Sequence, residues 1–161
     1  MAILYFHLKG FKIYSQNNHH HHHEKYYYVI YNHKSGICSE KFPFLYGKHR
    51  INEYFHIKLD NNKHTSFTIY LYKKGLLKDE LVSNLSYDSS KLPFDEVINE
   101  NKLMNNTSKS SPHILCRISI HLSSSGLDPY NAPEYNIDNT PKYLDALDLD
   151  AGSDSYYEAL L

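Results

Sequence analysis

The stretch ILCRISIHL, residues 114–122, alternates: Ile114, Cys116, Ile118, Ile120 and Leu122 fall on one side of an extended chain, with Arg117, Ser119 and His121 on the other. Successive side chains of a strand point to opposite faces, so this period of two marks a strand with one face in a core and the other toward water. Working outward, the same alternation returns. Leu4, Phe6 and Leu8 share a face in residues 3–8, Phe55, Ile57 and Leu59 in 54–59, and Phe67, Ile69 and Leu71 in 67–72. Residues 26–31 (YYYVIY) add a strand by their aromatic and β-branched content, and residues 37–42 and 81–87 are weaker strand candidates. Short strands separated by Gly, Asn and Ser breaks predict an all-β antiparallel sandwich.

Between these strands, SQNNHHHHHEK (15–25) reads as a polar low-complexity insertion, DNNKHT (60–65) as a tight turn, PFDEVI (93–98) as a helical turn and residues 99–111 as a flexible loop. After Leu122 the run SSSG opens a different regime, in which Pro129, Pro133 and Pro141 argue against further sheet. The expected division is a sandwich domain over residues 1–122 and a largely irregular acidic tail over 123–161. Two short helices are expected in that tail. Thr140 and Pro141 form an N-cap and first-turn pair ahead of Tyr143, Leu144 and Leu147, and Ser155 with Glu158 makes a capping box before Leu160 and Leu161.

A chain of 161 residues has room for one self-sufficient core. Its two cysteines, Cys38 and Cys116, match no paired metal or redox spacing, and a reducing compartment is the natural reading. No segment reads as a signal peptide or approaches the roughly 20 apolar residues of a spanning helix, so a cytoplasmic protein is expected, meeting membranes only peripherally. The net charge of −1 hides a split: residues 1–122 hold 16 Lys and Arg against 10 Asp and Glu, whereas residues 123–161 hold one Lys against eight acids. All twelve histidines lie in the first part. The basic part is therefore the one suited to anionic partners.

The order of the segments resembles the C2 domain family, the calcium- and phospholipid-binding sandwich. AILYFHLKGFKIY (2–14) is similar to the family's first strand and the loop that follows it, KYYYVIY (25–31) stands where the family has Ser-Asp-Pro-Tyr-Val, and RINEYFHIKL (50–59) resembles its Asn-Pro-x-Trp-Asn-Glu-x-Phe segment. FTIYLYKKGLLKDELVSNLSYD (67–88) has the spacing of a strand, a calcium loop and the next strand. The resemblance implies an eight-stranded sandwich, and the long closing strand favours the permuted, type II topology. It also implies calcium-binding acids, and two of their positions fall on Lys73 and Gly75, leaving Asp79 with Glu80. Calcium needs six to eight oxygen ligands, so calcium-independent binding, with no metal or other cofactor, is expected.

The family's other mode, contact between a basic surface and anionic phospholipid, then nominates Lys41, Lys48, His49, Arg50 and Lys58, with His56 outward on the same strand as Lys58. It also nominates Lys73, Lys74, Leu76, Leu77 and Lys78, in which two leucines sit between lysines at a loop tip. An ordinary solvated face for the cations, and a core-closing role for the leucines, are the competing structural readings. The His19–His23 run is read as expansion in a tolerant loop, because consecutive imidazoles do not present a fixed metal geometry. Tyr143, Leu144, Leu147 and Leu149 interleave with Asp145, Asp148 and Asp150 and form a candidate partner-binding segment, with simple solvated disorder as the competing reading. No catalytic signature is present, and nucleic-acid binding lacks a motif. The reading is a non-catalytic adaptor for an anionic membrane surface or a protein partner; the alternative is a purely protein-binding scaffold subunit with no lipid role.

Overall fold

The computed structural model describes residues 1–14, 24–45, 50–109 and 111–139. Eight strands of four or more residues form two facing sheets: β1 (Ile3–Tyr14), β2 (Lys25–Asn32), β4 (Phe42–Leu45), β5 (Glu53–Lys58), β6 (Ser66–Lys73), β7 (Glu80–Asp88), β8 (Val97–Leu103) and β10 (His113–Ser123). Three two-residue strands complete them: β3 (Ile37–Cys38), β9 (Asn105–Asn106) and β11 (Tyr135–Asn136). One sheet runs β11-β5-β1-β10-β8; the other runs β3-β2-β6-β7-β9, with β4 also paired to β2. The closing strand β10 lies antiparallel beside the opening strand β1, from Ile3 opposite Ser123 to Tyr14 opposite His113.

The alternation read from the sequence is the core. Leu4, Phe6, Leu8, Phe55, Ile57, Leu59, Phe67, Ile69, Leu71, Ile114, Cys116, Ile118, Ile120 and Leu122 are all buried in one cluster between the sheets. Its centre is aromatic: the Phe6 ring stacks on Phe55 at 5.1 Å and on Phe67 at 4.3 Å, tying β1 to β5 in its own sheet and to β6 across the sandwich. Such pairs add about 0.5–1.5 kcal/mol beyond area burial. β1 extends past the expected 3–8 because a bulge lies between Leu8 and Gly10. One extra residue reverses the parity, so the inward set continues as Phe11 and Ile13.

Three expectations need correction. Residues 99–111, expected to be a flexible loop, supply most of β8 and all of β9, because β8 is an exposed sheet edge that needs no apolar alternation; it pairs with β10 from Val97 opposite His121 to Leu103 opposite Leu115. Residues 93–98 form no helical turn: Phe94 bridges Leu122, and Val97 begins β8. Packing also continues beyond Leu122. Ser123 is buried, the Tyr5 hydroxyl donates to the Gly126 carbonyl at 2.5 Å, β11 pairs in parallel with β5, and Ile137 is fully buried in the main core. Gly126 turns the chain at φ +85°, where an added Cβ would meet the Met1 carbonyl and the Ile3 side chain at 3.3–3.4 Å. Residues 123–139 thus form a strap across β1 and β5. The prolines keep it nearly free of strand structure, but two residues at the edge of β5 suffice for pairing. The His19–His23 run, the expected tail helices and Tyr143, Leu144, Leu147 and Leu149 lie outside the described residues. No helix among the described residues is long and apolar enough to cross a membrane.

Candidate functional site

Lys25 pairs with Leu45 and Tyr26 with Lys73, so the described ends of the β1–β2, β4–β5 and β6–β7 connections gather at one end of the sandwich. The β6–β7 connection, residues 74–79, is a braced loop. Its first residue donates its backbone N–H to the Lys25 carbonyl at 2.8 Å. Asp79 holds the loop shut: one carboxylate oxygen accepts from the Gly75 N–H at 3.2 Å, and the other from the Tyr27 hydroxyl at 2.7 Å. Gly75 is required there, since a Cβ would fall on the Lys78 carbonyl oxygen. Closing the base this tightly pushes the tip outward. Leu76 and Leu77 are 106% and 103% exposed, more open than any other large apolar side chain among the described residues.

Below the tip lies a cleft of about 620 Å³ between β2, β4 and the start of β5. Lys25, Lys41, Arg50 and Lys74 line it, above a floor that includes Tyr26, Tyr28, Phe42 and Phe44. Lys41 lies over the Tyr27 ring at 5.2 Å, which holds its ammonium at the cleft wall. The floor is rigid because Phe44 stacks on Phe11 at 5.4 Å and Tyr28 on Phe42 at 5.1 Å. The Tyr28 side chain is 1% exposed and its hydroxyl has no hydrogen-bond partner among the described residues, although buried hydroxyls normally have one. Burial, then the nearby Glu53, pushes that phenol well up. Glu53 is raised too, by burial and then by Glu40.

Of the cations nominated from sequence, Lys41, Arg50 and Lys74 converge on this cleft, and Lys78 lies on the exposed loop beside it. Lys73 is tied to Glu24 at 2.8 Å. Lys58 is exposed but lies at the other end of β5, opposite Ile3, and does not join the group. Lys48 and His49 lie outside the described residues. His56 does not present an open face: the strap covers it, Glu134 approaches its Nδ1 at 3.0 Å, and its side chain is 14% exposed. Burial lowers the His56 pKa, and burial with the Asp128 charge raises Glu134 to about 7. Sequence reasoning missed Lys25, the Tyr27–Asp79 brace and the unpartnered Tyr28. Lys25 looked like the end of a low-complexity run, and a cleft assembled from four separated segments leaves no local signal. Among the described residues, no group of three or more His, Cys, Asp or Glu side chains is placed to hold a metal ion.

Solved structures of the same architecture carry the C2 name. The C2A domain of plant extended synaptotagmin 1 superposes with a TM-score of 0.55 at 9% identity, covering 76% of this chain and 94% of that one. The chain has the C2 fold. Extended synaptotagmin 2, over its C2A and C2B domains, matches with a TM-score of 0.52 at 11% identity, covering 75% of this chain and 40% of that one. Human GIVD cytosolic phospholipase A2 matches at 0.55 and 12% identity over 76% of this chain, which spans only 16% of the phospholipase chain. No family model matches the sequence, and no curated protein does. At these identities the likeness is one of backbone, and function must be argued from this chain's own residues.

Proposed function

We propose that this chain is a non-catalytic C2-like module that docks peripherally on anionic phospholipid surfaces without calcium. The observation that carries the reading is the pair Leu76 and Leu77, fully exposed at a rigid loop tip between Lys74 and Lys78 and beside a cleft lined by Lys25, Lys41 and Arg50. Exposed leucines cost solubility unless something covers them, and a tip with apolar residues flanked by cations suits a headgroup boundary. Burying both leucines is worth roughly 3–6 kcal/mol before ordering costs. Each cation near an anionic surface adds about 1 kcal/mol. Insertion and charge are thus of similar size, and neither alone gives firm attachment.

Calcium independence is supported by what Asp79 already does. Both of its oxygens serve the loop brace. The positions where the family resemblance puts further acids hold Lys73 and Gly75. The cleft below suits a phosphate-bearing headgroup, with the ammonium and guanidinium groups of Lys25, Lys41, Arg50 and Lys74 on its wall. The proposed setting is the cytoplasmic side of a membrane.

Co-sedimentation with phosphatidylserine-containing vesicles in excess chelator tests the reading. Binding should rise with anionic lipid, fall with salt, and drop about tenfold or more in a Lys41→Glu/Arg50→Glu/Lys74→Glu variant that melts like the parent. No binding to any vesicle would favour the scaffold reading, with the leucine tip facing a protein. A saturable calcium heat by calorimetry would remove the calcium-independent part.

A further inference from the structure

The outer surface of the first sheet carries cations that the cleft does not use. On β10, Leu115 and Arg117 alternate with the buried Ile114, Cys116 and Ile118 and so face away from the core. On β1 the bulge at Gly10 turns Phe11 and Ile13 inward, which puts Lys12 and Tyr14 on that same outer side. Lys9, at the bulge, reaches across β10 and donates to the Asn99 side-chain oxygen at 3.0 Å, whereas the Lys12 ammonium lies 5.0 Å from the Tyr14 ring centroid. Arg117 stands between them, opposite Gly10 on one side and Asn101 on the other. One lysine is thus drawn toward the row of Ser119 and Asn99 and the other toward the row of His113 and Tyr14. Those rows lie about 20 Å apart along β10, so the three cations form a track rather than a knot. β1, β8 and β10 hold a single carboxylate, Glu100, which pairs with Ile118 on the core side and accepts from the Tyr87 hydroxyl at 2.8 Å.

We propose that this track is a docking site for an extended acidic segment of a partner protein, separate from the leucine tip and the cleft. Its charge selects an anion, since like charges without a counter-charge on their own face raise the local potential. Its shape selects a chain: groups held this far apart need several carboxylates in a row, and one phosphate does not reach them all. Arg117, exposed at the centre, offers a fork that grips a carboxylate through two parallel hydrogen bonds. Leu103 and Tyr14, 57% and 43% exposed near one end of the track, add the apolar and aromatic contact typical of protein interfaces. The strap argues against a membrane here. The Tyr130 hydroxyl lies 2.9 Å from that of Ser119, and its ring meets Tyr54 at 5.4 Å and His7 at 5.7 Å. A step one side chain high therefore stands on the row next to Arg117, and a flat bilayer meets that step before it meets the track. A peptide lies along it. With the cleft at the β4 and β5 edge and the track on the outer face of β1, β10 and β8, both surfaces are open to different partners at once.

Fluorescence anisotropy of a labelled polyglutamate peptide of about ten residues, long enough to span the track, titrated with the full chain tests this. Affinity should fall with salt and drop about tenfold or more in Lys12→Glu/Arg117→Glu, while co-sedimentation of that variant with anionic vesicles holds. Lys41→Glu/Arg50→Glu/Lys74→Glu should do the reverse, losing vesicles and keeping the peptide. The peptide titration decides whether or not vesicles bind, so it stands apart from the membrane reading. Unchanged peptide affinity in Lys12→Glu/Arg117→Glu overturns the proposal. So does a loss of vesicle binding in step with peptide binding, which assigns the face to the membrane. Should that variant not melt like the parent, amide shifts of the parent on adding peptide decide. Shifts centred on Lys12, Asn101 and Arg117 support the track; shifts confined to Lys25, Lys41 and Lys74 overturn it.

Discussion

The two ends of the sandwich are built on opposite plans. At the end away from the leucine tip, polar groups are folded inward and matched: Asn32 accepts from the Thr65 hydroxyl at 2.7 Å, Ser89 accepts from the Thr65 N–H at 3.0 Å, and Asp88 caps the turn that begins at Ser89 by accepting from the Ser90 N–H at 2.9 Å. Asn32, Thr65 and Ser89 are all buried. At the other end, apolar side chains point outward over a braced backbone. Buried polar groups with partners hold a fold together, whereas exposed apolar groups on a rigid loop do nothing for stability and imply a surface still to be met. If the proposed function is right, one end carries stability and the other binding, and substitutions should separate the two.

The largest effect is expected from Leu76→Asp/Leu77→Asp. Removing both insertions should cost roughly 3 kcal/mol or more of vesicle affinity, a loss of at least about a hundredfold by sedimentation, with the melting temperature unchanged. Asn32→Ala should do the reverse. It strands the Thr65 hydroxyl and the Lys34 N–H and removes one of the two donors to the Asp138 carboxylate, so denaturant unfolding should show about 1–3 kcal/mol of lost stability and vesicle binding should hold. If either variant moved both quantities, the division between the ends would fail.

How much of this was legible in the sequence follows from how each element is buried. Leu4, Phe55, Phe67 and Ile118 announced their strands because an unbroken period of two runs through residues 3–8, 54–59, 67–72 and 114–122 with its apolar set in the core. Phe11 and Ile13 stayed hidden because the bulge near Gly10 shifts their parity. β8 gave no signal, since an edge strand with Asn99, Glu100, Asn101 and Lys102 uses polar residues to discourage further pairing. Tyr70 and Tyr72 looked solvent-facing because period-two reasoning assigns one dry face per strand, and β6 has two. The leucine tip was legible as a pattern. Its brace was not, because Tyr27 and Asp79 are 52 residues apart.

Smaller effects sharpen the same contrast. A single Lys41→Ala at the cleft should weaken vesicle binding by about 1 kcal/mol, roughly fivefold, whereas Lys58→Ala at the far end should change it little, both read by titration at low and moderate salt. The strap offers a pH test. Glu134 has a folded-state pKa raised to about 7 above its ordinary value near 4.5, so its contribution to stability is full below the ordinary value and is lost as pH rises through about 7. His56, lowered by burial, runs the other way: its contribution is present above the usual histidine value and is lost as pH falls below it. Between pH 6.5 and 8 the Glu134 effect stands alone. The protection of the amides in residues 127–136, measured against their intrinsic exchange rate at each pH, should fall across that interval in the parent and stay level in Glu134→Gln.

The most direct measurement uses a chain that contains no tryptophan. Leu77→Trp at the tip and Lys63→Trp at the opposite end each place a single reporter on an exposed residue. On anionic vesicles in excess chelator, docking through the leucine tip predicts a blue-shifted emission for Leu77→Trp, no shift for Lys63→Trp, and none for either on neutral vesicles. An unshifted Leu77→Trp on vesicles to which the protein demonstrably sediments, or a shift at Lys63→Trp instead, would contradict membrane docking through the leucine tip.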